Sequence, residues 1–126
     1  MPSNDTTEPN DTSPSLGALQ AAVDDWISQW EEGYWPPLSN LARLTEEVGE
    51  LARLLNQVYG AKVAKSDPDD DPVEAIRAEI GDILFVVITL ANDLDIDLEQ
   101  VLLDTLQKYE VRDADRWTPR AESRED

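Results

Sequence analysis

The sequence predicts an all-α fold, a four-helix-bundle type of arrangement that oligomerisation completes. In four separate segments, apolar residues recur at intervals of three and four, which places them on one face of a helix. The connections between these segments are short and contain Pro, Gly, Asn and Asp. Helices joined by short loops are typical of bundles. The 126 residues, 40% of them hydrophobic, suit one compact domain.

The first two helices are predicted from apolar stripes and from the residues that bound them. Ser13 followed by Pro14 is typical of an N-cap with proline at the first helical position, and Gly33 ends the stripe that follows. The adjacent prolines of GYWPPL separate this helix from a second one over about 38–58. The first core stripe consists of Leu16, Leu19, Val23, Trp26 and Trp30, and the second of Leu41, Leu44, Val48, Leu51, Leu55 and Val58.

The last two helices begin with capping motifs. Asp71, Pro72 and Glu74 form a D-P-x-E start for a third helix that extends to about 93. Its segment ILFVVITLA is apolar on all sides, which fits a buried strand or a helix at a bundle centre or oligomer interface. The helical period that precedes this segment continues into it and favours a helix. Asp97 and Gln100 begin a fourth helix, which extends to about 111.

The composition indicates where the folded domain begins and ends and which classes of partner the chain can bind. Residues 1–13 and 118–126 are expected to be a disordered and a mobile tail around a domain of residues 14–117. No run of about 18 apolar residues and no basic-then-apolar leader is present, so we expect a cytoplasmic protein that makes no membrane contact. The net charge of −18 repels phosphate backbones and argues against nucleic-acid binding. The absence of Cys and His removes thiolate zinc sites and His-based catalysis.

Two carboxylate pairs flank the core faces of the second and third helices. Glu47 and Glu50 form E-x-x-E, and Glu79 and Asp82 form E-x-x-D. In each pair, one member lies roughly 70–80° and the other roughly 130–140° from the centre of the apolar stripe. Antiparallel neighbours would bring these side chains and the adjacent Glu46 together, which is unfavourable unless a cation lies between them. The all-oxygen ligand set predicts Mg²⁺, with Mn²⁺ as a substitute.

The alternative explanation for each pair is a solvated acidic face. Two pairs placed alike on consecutive helices favour a metal site. Gly49 and Gly81 each lie inside a pair and in mid-helix, where glycine costs about 1 kcal/mol relative to alanine. Close approach of a backbone or a ligand would explain both glycines.

The segments EEVGELARLL and EIGDILFVVITLANDLDIDLEQVL resemble the MazG-like, all-α nucleoside triphosphate pyrophosphohydrolases. The family signature is E-x-x-E, a spacer and E-x-x-D, and here 28 residues separate Glu50 from Glu79, toward the long end of that spacing. The resemblance covers about residues 16–117, including KYEVRDADRW. It implies Mg²⁺-dependent hydrolysis of (d)NTPs to monophosphate and pyrophosphate, in nucleotide-pool house-cleaning or regulation. It also implies dimers or tetramers with substrate sites between chains.

The resemblance assigns roles to individual acidic residues. Glu46 would be a further metal ligand or would orient the attacking water, although its helical phase places it farthest from the core face. Metal ions would neutralise the triphosphate and activate the water, so covalent catalysis is not needed. The metal ligands carried over from the family would be Glu47, Glu50, Glu79 and Asp82.

Other positions point to the substrate. Lys108 and Arg112 match basic family positions that meet the leaving pyrophosphate, and they also favour a helix C-terminus. Asn92 matches a recurrent family position, where an amide contacts substrate or caps the helix end. Tyr34 and Trp35, in the connection before the metal helix, are candidates either for stacking on a nucleobase or for the core.

Two alternatives stay open at this point. One is phosphoribosyl-ATP pyrophosphohydrolase, a relative with similar carboxylates. The other is a catalytically silent acidic bundle that binds a protein partner. In either case the apolar third helix predicts at least a homodimer, because a lone four-helix chain of this size would not cover it.

Overall fold

The computed structural model describes residues 12–60 and 71–121. This part of the chain contains four helices and no strand, which confirms the all-α prediction. None of its helices has the length and apolarity needed to span a membrane. Most of the predicted N-terminal tail, most of the acidic loop between the second and third helices and the end of the C-terminal tail lie outside the described residues. The helices are α1 (Leu16–Ser28), α2 (Pro37–Tyr59), α3 (Pro72–Asp93) and α4 (Leu98–Arg112).

The start of α1 differs from the prediction by two residues. Ser15, not Ser13, is the N-cap, and its Oγ accepts a hydrogen bond from the N–H of Ala18 at 3.1 Å. The preference of proline for the first helical position favoured a start at Pro14. Ser15 is the N-cap because its hydroxyl accepts a hydrogen bond from an N–H that would otherwise lack a partner.

The predicted starts of α3 and α4 are confirmed. An oxygen of Asp71 accepts from the N–H of Val73 at 3.0 Å, and an oxygen of Asp97 accepts from the N–H of Gln100 at 3.3 Å. The side chain of Glu74 pairs with Arg77 at 2.9 Å instead of completing a capping box.

The main packing runs between α2 and α3, with α1 against α3 and α4 against α1. Buried apolar side chains come mainly from the all-apolar part of α3, which therefore lies at the centre as predicted. On α2 and α3, Arg43 lies beside Phe85 and Glu47 lies beside Asp82 and Glu79, so the residue numbers run in opposite directions and the two helices are antiparallel. The buried apolar residues are Ile27, Val86, Ile88 and Ala91.

Much of the apolar surface is exposed in the single chain. No residue of α4 is buried, and Leu103 and Leu106 are each 56% exposed. Several assignments to the core stripes are wrong for the single chain. Trp26 and Trp30 are 55% and 53% exposed, and the other exposed members are Leu19, Leu41, Val48 and Leu55. Exposed apolar surface of this extent is typical of an interaction site.

A polar clamp joins α1 to the α3–α4 connection. The buried side chain of Gln20 donates to Asn92 Oδ1 at 3.1 Å and to the carbonyl of Ile96 at 2.9 Å, and its oxygen accepts from the N–H of Leu98 at 2.9 Å. Asn92 returns a hydrogen bond to the backbone carbonyl of Gln20 at 2.9 Å. Four hydrogen bonds thus fix the turn that directs α4.

Gln20→Ala is expected to lower the free energy of unfolding by about 2–3 kcal/mol, because it leaves several partly buried polar groups unpaired. Chemical denaturation measures this loss. Gln107→Ala, on the exposed surface of α4, is the control and should change stability by less than about 0.5 kcal/mol. Equal stability of Gln20→Ala and the control would show that the clamp adds nothing.

Candidate functional site

Three acidic side chains converge where α2 and α3 lie side by side. Carboxylate oxygens of Glu47 on α2 and of Glu79 and Asp82 on α3 all lie within 4.8 Å of one another. The antiparallel packing of the two helices brings the predicted pairs together. Three of the five predicted acidic residues therefore form one group, which we call the carboxylate cluster.

Glu79 lies in the most unusual electrostatic environment of the cluster. Its Oε2 is shielded from solvent and has no hydrogen-bond partner among the residues that the structure describes. When protonated, Glu79 can donate a hydrogen bond to Glu47. That bond, then shielding from solvent and the negative charges of Glu47, Asp82 and Glu50, raises the pKa of Glu79 from 4.5 to about 7.

This pKa gives a pH dependence of stability in the absence of divalent metal. The folded state holds a proton on Glu79 up to about pH 7, whereas the unfolded chain releases it near 4.5. The folded protein therefore binds more protons in this window, and its free energy of unfolding should fall as the pH rises from about 4.5 to about 7. Denaturation midpoints in chelator should show this fall relative to Glu79→Gln. The same pH profile for both proteins would contradict it.

The other two predicted acidic residues lie outside the carboxylate cluster. Glu50 forms an ion pair with Arg53 at 2.8 Å, with both side chains about half exposed. It is nevertheless near enough for its charge to raise the pKa of Glu79. Glu46 is exposed on α2, as its helical phase predicts.

The cluster fits a hard divalent cation. Among the described residues, no Lys or Arg forms an ion pair with Glu47, Glu79 or Asp82. The shielded Oε2 of Glu79 is an acceptor that still needs a positive or donating partner. An oxygen-only set of carboxylates is the donor chemistry that Mg²⁺ and Mn²⁺ prefer. Glu47, Glu79 and Asp82 are thus the residues that can hold the ion.

An aromatic pocket of about 580 Å³ adjoins the cluster. Asp82 is a member of the carboxylate cluster and also lines the pocket, so the pocket opens onto the carboxylates. The predicted Tyr34 and Trp35 line it, and so do residues that the sequence reasoning missed. Arg43 and Phe85 lie one helical turn from Glu47 and Asp82, a spacing that was available as a signal. The missed aromatic and polar lining residues are Trp26, Phe85, Asn40 and Arg43.

The three candidate substrate residues differ in whether they line the pocket and in whether their polar atoms already form hydrogen bonds within the protein. Tyr34 donates a hydrogen bond to Asp24 at 2.5 Å, and its pKa is raised by desolvation and by this bond. Trp35 is 52% exposed at the pocket. Asn92 does not line the pocket, and both atoms of its amide group bond to Gln20. This arrangement favours an architectural role for Asn92.

The predicted phosphate-binding residues lie elsewhere in the single chain. Lys108 and Arg112 line a surface depression on α4 and are not part of the aromatic pocket. Arg112 pairs with Asp113 at 2.9 Å, and both cations lie beside the ring of Tyr109.

The two mid-helix glycines meet no close neighbour in the described chain. A Cβ built on Gly49 or Gly81 would have no atom within 4 Å, apart from the glycine's own surroundings on its helix. Close approach of a backbone within the chain is therefore not the reason for either glycine.

Known proteins share both this helical arrangement and this sequence. The family described as the MazG nucleotide pyrophosphohydrolase domain matches residues 36–117. The uncharacterized protein YpjD of Bacillus subtilis (strain 168) is 50% identical over 106 residues, 84% of this chain and 93% of its own length. The crystal structure of Bacillus subtilis YpjD has a TM-score of 0.71 at 46% identity, covering 78% of this chain and 97% of that chain.

A second solved structure is that of a Bacillus-conserved MazG protein, described as a nucleotide pyrophosphohydrolase. It has a TM-score of 0.68 at 42% identity and covers 83% of this chain and 99% of that chain. These matches confirm the resemblance and the enzyme class predicted from the sequence, and they disfavour a silent interaction module. The helices, the paired carboxylates and the shared sequence lead to one conclusion: this chain belongs to the MazG nucleotide pyrophosphohydrolase family, whose enzymes hydrolyse phosphoric anhydrides.

Proposed function

We propose that this protein hydrolyses (d)NTPs to the monophosphate and pyrophosphate with Mg²⁺, and that it acts in nucleotide-pool house-cleaning. The observation that carries the proposal is that Asp82 belongs to both the carboxylate cluster and the aromatic pocket. A triphosphate at the carboxylates then leaves its base within reach of the aromatic walls. Trp35 and Tyr34 are the proposed stacking residues.

The reaction is a substitution at the α-phosphorus. A water oxygen forms a bond to the α-phosphorus, and the bond from that atom to the oxygen bridging to the β-phosphorus breaks. Pyrophosphate leaves with the bonding electron pair. Mg²⁺, when bound, neutralises the phosphate charge and lowers the pKa of the attacking water. Glu46 is the proposed residue that orients this water and receives its proton.

Glu47, Glu79 and Asp82 are proposed to hold the ion, with Glu50 as a fourth ligand. To bind the ion, the carboxylate of Glu50 must break its ion pair with Arg53. An exposed ion pair of this kind contributes only about 0–1 kcal/mol, so the exchange is easily offset by metal binding.

The working form is proposed to be a homodimer or homotetramer. Two observations support this: α4 has no buried residue, and Lys108 and Arg112 lie on α4 away from the aromatic pocket. A second chain would cover the apolar surface and bring these cations toward the leaving pyrophosphate of a neighbouring site.

Pyrophosphate release from canonical and damaged NTPs and dNTPs tests the proposal, with Mg²⁺ or Mn²⁺ present and with chelator as the control. We expect metal-dependent release from at least one nucleotide. Phosphoribosyl-ATP is included as a substrate. Release from phosphoribosyl-ATP alone would replace the proposed substrate class, and release from none would contradict the proposal.

A further inference from the structure

Arg43 occupies an unusual position in the wall of the aromatic pocket. Its Cζ lies 5.9 Å from the ring centroid of Trp35 and 5.7 Å from that of Phe85, and the side chain is half-buried. A guanidinium within about 6 Å of an aromatic centroid is attracted to the face of the ring. The two rings therefore hold Arg43 in place without a carboxylate.

The hydrogen-bonding capacity of Arg43 is uncommitted. Within residues 12–60 and 71–121, its side chain has neither a hydrogen-bond acceptor nor an ion-pair partner, although the chain carries 28 acidic residues. Its five N–H donors thus remain available at the pocket. The guanidinium groups that do pair with carboxylates belong to Arg53, Arg77, Arg112 and Arg116.

The location of Arg43 fits a nucleobase better than a phosphate. It lies one helical turn before Glu47, and Phe85 lies one turn after Asp82, so both are displaced in the same direction from the carboxylate cluster. Hydrated phosphates belong at the cluster with the cation, whereas flat, weakly hydrated bases belong between aromatic rings. This step rests on the proposed function, which fixes the phosphate end of the substrate.

We propose that Arg43 reads the edge of the base and makes the enzyme select oxo bases over amino bases. A guanidinium only donates hydrogen bonds, so it pairs with an oxygen at C6 of a purine or C4 of a pyrimidine. An amino group at the same carbon would place its own N–H groups against those of Arg43. The guanidinium N–H groups that face this carbon would then have no acceptor. Nucleotides of hypoxanthine and guanine among purines, and of uracil and thymine among pyrimidines, are the favoured substrate class.

Two matched substrate pairs differ only in this oxo or amino group and in the proton on the adjacent ring nitrogen: ITP against ATP, and UTP against CTP. For the wild type we expect kcat/KM to favour the oxo member of each pair by about 10-fold or more. Arg43→Met should lower kcat/KM for ITP and UTP by about 10–100-fold while changing the values for ATP and CTP by less than about 3-fold. Arg43→Lys keeps the charge but loses the planar fork, so it should restore only part of the preference. Arg77→Met, at an exposed position on α3 outside the pocket lining, is the control and should retain the wild-type ratios.

Equal values for the two members of each pair in the wild type would overturn the proposal. An equal loss on all four nucleotides in Arg43→Met would also overturn it, because that result marks a phosphate contact or a structural role. Binding of the α,β-methylene analogues of ITP and ATP, followed through quenching of the pocket tryptophans, separates this inference from the proposed function. If no nucleotide is hydrolysed, the proposed function fails, and the affinity ratio of the two analogues in wild type and Arg43→Met still decides the role of Arg43.

Discussion

Glu79→Gln is expected to lower kcat for pyrophosphate release by on the order of 10³-fold or more, because it removes a proposed oxygen ligand of the metal ion and would weaken electrostatic stabilisation of the transition state. The folded protein should persist. Without metal the variant should be at least as stable as the wild type near pH 8, since the raised pKa of Glu79 shows that the folded state disfavours its charge. Mg²⁺ should raise the melting temperature of the wild type and have little effect on the variant.

Glu74→Gln is the matched control for this experiment. Glu74 also lies on α3, but it is exposed and pairs with Arg77. It should retain kcat and the stabilisation by Mg²⁺. A Glu79→Gln protein that turns over substrate at the wild-type rate would show that the carboxylate cluster is not the metal centre.

Leu106→Asp is expected to weaken subunit association by at least about 100-fold. Leu106 is 56% exposed in the single chain, on a helix without a buried residue. Covering such a side chain contributes roughly 1.5–3 kcal/mol, and burying an unpaired carboxylate in its place adds a desolvation penalty. The mass measured by light scattering over a range of concentrations should shift toward the monomer, and activity should fall with it.

Gln107→Asp introduces the same charge at the neighbouring position and is the control for Leu106→Asp. We expect it to keep the oligomeric mass. A wild-type chain that is monomeric at micromolar concentration would contradict the assembly directly, and the exposed apolar surface of α4 would then need another explanation.

The helices were predictable because their signals are local. Asp71 and Asp97 lie next to the N–H groups that they cap, so residue type and spacing suffice. The start of α1 was misplaced because Ser13 and Ser15 compete within three residues and only backbone geometry decides between them. The Gln20–Asn92 contact joins residues 72 positions apart, and no local pattern marks it.

The carboxylate cluster was predictable for a different reason: its members repeat the same spacing on two neighbouring helices. Helical phase placed Glu47 and Glu79 beside the core. Asp82, like Glu50, lies roughly 130–140° from the centre of its stripe, and only the packing of α2 against α3 brings it into the cluster. Phase could not show that Arg53 engages Glu50, because the rotamers of exposed long side chains depend on competing partners. Nor could helical phase show that Arg43 lies within about 6 Å of two rings, because Trp35 and Phe85 come from segments whose distance depends on the packing of α3.

The position at which oxygen enters the products tests the central claim most directly. Hydrolysis of the preferred nucleotide in ¹⁸O-labelled water with Mg²⁺ is followed by mass spectrometry of both products. Attack at the α-phosphorus predicts the label in the nucleoside monophosphate and none in pyrophosphate. Label in pyrophosphate, or products consisting of a nucleoside diphosphate and phosphate, would contradict the proposed reaction.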